Sequence, residues 1–227
     1  MQSNDDLFQA AKDMRTKARP WSLFHDPPPP LPDGTGGKDS WAVPGEGECF
    51  GLWDEYSMPE HIREHSRMVA DIATCVAEHA RDRGMDVDVA SVRASGLLHD
   101  LAKHHTIRYG GHHAQLGGAW VQARTGNPLI AQGVLHHIWW PWEIDAVRYF
   151  LPLAVIYADK RVRHDSVVTV DKRFKDIAER YGKNKAILKR IEMSRVQALE
   201  IEQHINTLLG VDLNACSFGG GRLVERT

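Results

Sequence analysis

Residues 60–83 read EHIREHSRMVADIATCVAEHARDR, and their spacing decides the fold. Ile62, His65, Val69, Ile72, Val76 and His79 recur at three- and four-residue steps, the repeat of one face of an α-helix. Pro59 suits a first helical turn, and Gly84 closes the segment. The same stripe carries an imidazole, His65, on the face that Val69 and Ile72 direct toward a core.

The helical period continues along the chain. It predicts helices over 89–103, 113–125, 128–138 (PLIAQGVLHHI), 144–163, 171–181 and 184–209. The third of these predicted segments after residue 83 starts at Pro128, and Gly126-Asn127-Pro128 breaks the chain before it. No stretch alternates with period two and no internal repeat is present, so the fold class is all-α. Residues 26–48, DPPPPLPDGTGGKDSWAVPGEGE, are rich in Pro and Gly and read as a linker or extended arm, preceded by a short helix over 4–18. The stretch SFGGGR at 217–222 reads as a disordered tail; a phosphate-binding loop would need a following G-K-[ST]. The expected organisation is an arm and linker over 1–48, a helical domain over 49–181, and a C-terminal helix with a flexible tail over 182–227.

Composition narrows the classes. The 227 residues are 42% hydrophobic and 26% charged, with a formal net charge of −2, enough to bury a core and without a basic excess that would point to nucleic acid, DNA included, or an anionic membrane. Such a balance still permits a small phosphorylated ligand, which needs only a local positive site. Cys49, Cys75 and Cys216 form no C-x-x-C pair, which argues against a disulfide framework and a thiolate zinc site and fits a reducing compartment. The N-terminus lacks the apolar run of a secretory signal, and no stretch reaches the roughly 20 apolar residues of a membrane span. A cytoplasmic protein is expected.

Thirteen histidines are many for this length, and their placement is informative. His65 interrupts the first apolar face. His99 and Asp100 follow Leu97-Leu98, His113 opens the next helix, His136-His137 close another, and Asp159 ends the run LPLAVIYAD. Five successive helices thus each bring His or Asp to the core side. Each residue alone has a plainer reading: a hydrogen-bonded core histidine, or Asp159 paired with Lys160 or Arg161. His104, His105 and His112 read as solvent-exposed loop residues. For the other residues, all the plain readings would have to hold at once, whereas one divalent metal centre satisfies the whole set. Imidazole and carboxylate ligands suit Fe, Mn, Co, Ni or Zn.

The order His65 … His99-Asp100 … Asp159 resembles the HD-domain superfamily of metal-dependent phosphohydrolases, whose pattern is H … HD … D on about five core helices. REHSRMVADIA resembles its first motif, LLHDLAK its HD pair, HAQLGGAW an H-A-x-x-G-A segment that selects His113, VLHHIWW its later His-His segment, and VIYADKRV its terminal Asp motif. The resemblance covers about residues 50–181. It implies one or two divalent ions: one held by His65, His99, Asp100 and Asp159, with Asp100 bridging, and a second held by His113, His136 and His137, with His137 ranked above His136. The implied reaction is hydrolysis of a phosphomonoester, phosphoanhydride or phosphodiester of a nucleotide-like substrate by a metal-activated water. Asp100 and Lys103 are the implied catalytic residues. Lys103, Arg161 and Trp140 are expected at the substrate, with Arg163, Trp139 and Trp142 as further candidates. A non-catalytic metal- or nucleotide-sensing module and a di-iron oxygenase are the competing readings. The Pro-rich arm and the C-terminal helix offer surfaces for a homodimer.

Overall fold

The structure is a computed structural model that describes residues 41–163, 166–219 and 222–225. The helix expected over 4–18 and most of the Pro/Gly-rich arm lie outside the described residues. The chain orders as α1 (Glu46–Glu55), α2 (Glu60–Asp82), α3 (Val89–Leu98), α4 (Lys103–Tyr109), α5 (His113–Thr125), α6 (Pro128–His136) and α7 (Phe150–Asp159). A small hairpin of β1 (Val162–Arg163) and β2 (Ser166–Val167) precedes α8 (Val170–Tyr181) and α9 (Lys185–Leu209), and β3 (Cys216–Gly219) pairs antiparallel with β4 (Arg222–Glu225). The fold is all-α, with two minor hairpins.

The longest core helix, α2, buries Ile62, Val69, Ile72, Ala73, Val76 and Ala80, the stripe its sequence period predicts. It packs against α3 and α7, and α7 is buried on nearly every side, as the run FLPLAVIYAD requires. Local chemistry sets the helix ends. The Asp88 carboxylate accepts from Ser91 N and Ser91 Oγ at the start of α3, and the Asn127 side chain accepts from Leu129 N and Ile130 N ahead of Pro128 at the start of α6. Gly126 and Gly210 close α5 and α9 in the left-handed region, with φ of 65° and 63°.

Several expected boundaries move. The second helix ends at Leu98, not Lys103, because i→i+3 bonds from Leu101 N to Leu98 O and from Lys103 N to Asp100 O tighten the backbone into a turn. The HD pair lies in that turn, and α4 starts afresh after it. The fifth predicted helix begins at Phe150 rather than 144, since the Asp145 side chain accepts from Val147 N and Arg148 N and holds a separate turn. Helix α1 emerges from what reads as linker; the Glu48 carboxylate accepts from Gly45 N, and the Trp53 indole donates to Leu97 O at 2.9 Å. Of the tail expected to be disordered, Cys216–Gly219 and Arg222–Glu225 pair as β3 and β4, and residues 220, 221, 226 and 227 lie outside the described residues.

Helices α2 and α3 touch most closely at Gly96, three residues before His99. A Cβ there would lie 2.7 Å from the Ala70 Cα. In an isolated helix Gly→Ala gains up to about 1 kcal/mol, so Gly96→Ala separates propensity from packing. The substitution is expected to destabilise by about 1–3 kcal/mol in urea unfolding, because two backbones must part.

Candidate metal centre

Each group reaches the centre from a different element. His65 projects from the second turn of α2, His99 and Asp100 from the turn after α3, Lys103 from the first residue of α4, and His113 from the first of α5. His137 lies just past α6, and Asp159 is the last residue of α7. Helix ends let side chains converge without side-chain bulk filling the centre. His99, Asp100 and His137 are buried, at 0%, 1% and 2% exposed, with His65 and Asp159, whereas His113 and Lys103 are half-buried.

Asp100 is the hub. Its Oδ2 lies 3.4 Å from His99 Nε2 and 3.8 Å from His65 Nε2; its Oδ1 lies 3.4 Å from His113 Nε2 and 3.6 Å from His137 Nε2. Two groups with ligand atoms close enough to share a cation result, His65–His99–Asp100 and Asp100–His113–His137, and Asp100 belongs to both. Asp159 adjoins the first, with Oδ1 3.1 Å from His65 Nε2 and 4.0 Å from His99 Nε2. Two ring nitrogens, His113 Nε2 and His137 Nε2, face one another at 3.2 Å.

The surroundings suit a cation. His99 Nδ1 lies 2.7 Å from Gly96 O and His137 Nδ1 2.7 Å from Val134 O. A carbonyl accepts only, so both Nδ1 atoms carry a proton and both Nε2 atoms face the centre, where each offers a lone pair when its ring is neutral. His99 Nε2 and Asp100 Oδ1 are fully buried without a hydrogen-bond partner among the described residues. Leaving two such acceptors unpaired costs a few kcal/mol, and a divalent ion answers both. With nitrogen and carboxylate donors and no thiolate, the donor set suits Fe, Mn, Co, Ni or Zn.

Electrostatics point the same way except at His99, where burial lowers the pKa but the neighbouring Asp100 and Asp159 carboxylates outweigh it and raise it, so that ring favours a proton that a bound cation would displace. Burial lowers the pKa of His65, His113 and His137, that of His113 to about 3, which leaves these rings unprotonated at neutral pH. Burial opposes ionisation of Asp100, yet His99 and Lys103 hold it well below the usual carboxylate range. Lys160 and His65 do the same for Asp159. Lys103 Nζ lies 2.6 Å from Asp100 Oδ2, and its side chain is 36% exposed, so it sits at the mouth of the centre. Lys160 Nζ donates to Asp159 Oδ2 at 2.5 Å and to His137 O at 3.3 Å, tying the ends of α7 and α6 together. Its place in the ADK segment marks it in the sequence, although the pattern alone does not reveal the second bond.

Three expected site residues lie elsewhere. His136 stands off the centre, edge-on to Trp140 and Trp142 at ring separations of 5.4 and 4.9 Å, because one residue's rotation past His137 turns it outward from Asp100. Trp140, expected to stack on a substrate, is fully buried; its indole donates to Glu143 O at 3.0 Å and its backbone bonds the Gln197 amide in both directions. Arg161, expected at a phosphate, is 3% exposed and donates to Val168 O, Leu213 O, the Tyr157 hydroxyl and Glu202. It fastens α7 to α9 and the residues after it. Arg163 is exposed in β1.

Comparison with known proteins agrees with this constellation. The HD domain family model matches residues 62–191, more than half of the chain. Over 82 residues the chain is 29% identical to Ribonuclease Y of Opitutus terrae, covering 36% of this chain and 15% of that protein. Over 162 residues it is 28% identical to an uncharacterized protein of Methanocaldococcus jannaschii, covering 66% of this chain and 90% of that one. The chain thus spans only a small part of the ribonuclease. No solved structure gives a significant match. Among the described residues, no helix is long and apolar enough to cross a membrane.

The His136 environment gives a pH test. Burial, aided by His137, lowers its pKa to about 4. The native state therefore holds His136 neutral, whereas the unfolded chain protonates near the ordinary pKa of about 6.5. Its contribution is present above that value and lost as pH falls toward 4. His136→Gln is expected to flatten the loss of stability between those values in denaturant titrations at stepped pH; an unchanged slope would remove this residue from the acid response.

Proposed function

The chain belongs to the HD-domain family, and from that membership we propose that it is a metal-dependent phosphohydrolase. The reaction is hydrolysis of a phosphomonoester, phosphoanhydride or phosphodiester bond in a nucleotide-like substrate. The observation that carries this reading is the Asp100 carboxylate, whose two oxygens face separate pairs of imidazoles and one of which has no hydrogen-bond partner among the described residues. Two cations would be held by His65, His99, Asp100 and Asp159 and by Asp100, His113 and His137. When bound, such ions lower the pKa of water and polarise a phosphoryl oxygen, the two demands of phosphate hydrolysis at neutral pH.

The chain's own groups supply the rest. Carbonyls of Gly96 and Val134 fix the tautomers of His99 and His137, so ligand lone pairs do not have to reorganise. Lys160 fixes Asp159 and, through the His137 carbonyl, the spacing between the two groups. Lys103 is the cation at the mouth, a compact charge suited to a non-bridging phosphate oxygen. Similarity to part of a protein named Ribonuclease Y supports a nucleotide-derived substrate.

The test is a hydrolysis assay. Protein reconstituted with Mn²⁺ or Co²⁺ is expected to cleave bis(p-nitrophenyl) phosphate or one of a panel of nucleotides and dinucleoside polyphosphates, and EDTA should abolish the activity. Asp100→Asn is expected to lower kcat/KM by at least about a hundredfold, about 2.7 kcal/mol of transition-state stabilisation. No turnover with any of Fe, Mn, Co, Ni or Zn across that panel would overturn the reading.

A further inference from the structure

Charge is unevenly spread along the chain. Residues 171–195 hold nine Lys or Arg against four Asp or Glu, although the whole chain carries a formal −2. The segment comprises most of α8, a turn at 182–184, and the first half of α9. From 175 to 195 no residue is buried; Ile177 and Ile191 pack half-buried against the edge of the core, and the remaining faces of this helical hairpin meet solvent. Arg180 pairs with Asp176, Arg195 with Asp171 and Glu192, and Arg173 with Asp176 at 3.6 Å. Lys172, Lys175, Lys183, Lys185, Lys189 and Arg190 are exposed and have no ion-pair partner among the described residues, while Glu179 is the one acid of the segment left unpaired there.

The root of the hairpin follows the metal centre closely in the chain: α8 begins eleven residues after Asp159, directly beyond the β1–β2 turn. Arg173, the fourth residue of α8, is half-buried at that root, 3.6 Å from Asp176. Its Nε is buried without a hydrogen-bond partner among the described residues. Positive charge therefore runs from Arg173 at the root to the exposed lysines and Arg190 nearer the tip. At the tip Tyr181 is 56% exposed, with the Arg180 guanidinium 5.6 Å from its ring centroid.

We propose that α8 and the first half of α9 form a track for the phosphate backbone of a single-stranded oligonucleotide whose scissile phosphate sits at the Asp100 centre. This rests on the phosphohydrolase reading above and extends it from a small nucleotide to a chain of phosphates. Unpaired like charges repel a second copy of the same face, which disfavours a dimer through it. An acidic protein or an anionic membrane would meet the charge alone. A row of unpaired cations on the helices that follow a phosphate-cleaving centre, with an exposed aromatic ring among them, favours a single strand, which offers regularly spaced phosphates and bases that stack. Hydrolysis there needs water alone: oxygen adds to phosphorus, the P–O bond to the leaving nucleoside breaks, and that oxygen takes the proton.

The test compares the full chain with a variant carrying Lys183→Ser, Lys185→Ser, Lys189→Ser and Arg190→Ser, all exposed positions outside the metal centre. Binding of a fluorescein-labelled single-stranded oligoribonucleotide is followed by anisotropy in EDTA, so that nothing is cleaved, over a range of salt. The native chain is expected to bind with steep salt dependence. The variant should bind at least about tenfold more weakly, with a log–log salt slope shallower by about 2.8, or about 0.7 for each lost cation. Its hydrolysis of bis(p-nitrophenyl) phosphate should be unchanged. Equal affinities and slopes, or sedimentation with phosphatidylserine vesicles without oligonucleotide binding, would overturn the track. Oligonucleotide binding with these slopes but no phosphate hydrolysis would instead overturn the phosphohydrolase reading and leave the track as a binding surface.

Discussion

The site depends on one carboxylate. Asp100 is 1% exposed, remains ionised against the cost of burial, and is approached from three sides by imidazoles and by Lys103. A buried anion of this kind is tolerated only when surrounding charge compensates it. Lys103 supplies part of that compensation, and the surrounding helices place ligands for the cations that would supply the rest: α2 and α3 deliver His65 and His99 to one oxygen, while α5 and the end of α6 deliver His113 and His137 to the other. The close approach of α2 and α3 at Gly96 belongs to the same arrangement, since the Gly96 carbonyl also fixes the His99 tautomer.

The core holds these helix ends in place. Helix α7 is buried almost throughout and delivers Asp159 at its last residue, where Lys160 bonds both that carboxylate and the His137 carbonyl. Immediately beyond, Arg161 ties the same strand of chain to Glu202 of α9 and to Leu213 O. The C-terminal helix thus contributes to the rigidity of α7, and its basic first half meets solvent on all but the side that packs against the edge of the core.

Much of this was legible in the residues. The stripe from Ile62 to Val76 identified a buried helix, and caps such as Asn127-Pro128 marked where others begin, because helix periodicity and capping are local properties. The sequence order also singled out His65, His99, Asp100, His113, His137 and Asp159, which the fold brings together. Other features depend on tertiary contacts. Trp140 and Arg161 look available in a linear reading, but the Gln197 amide and the Glu202 carboxylate, some 40 to 57 residues away, draw them inward. Helix α1 begins among glycines that weaken a local helix signal, and it is held by Trp53 reaching Leu97 O. The basic hairpin was concealed by a whole-chain net charge near zero, which averages over the local excess.

The most direct measurement is metal content and affinity of the folded protein with and without the central carboxylate. Native protein and Asp100→Asn, shown to be equally folded by circular dichroism and thermal melting in EDTA, would be titrated with Mn²⁺ by calorimetry and assayed for bound metal by mass spectrometry. The native chain should bind tightly, and the variant should lose that binding while remaining folded, because both ligand groups share Asp100. Equal metal affinity in the two proteins, or a native protein that binds no divalent metal, would contradict the account.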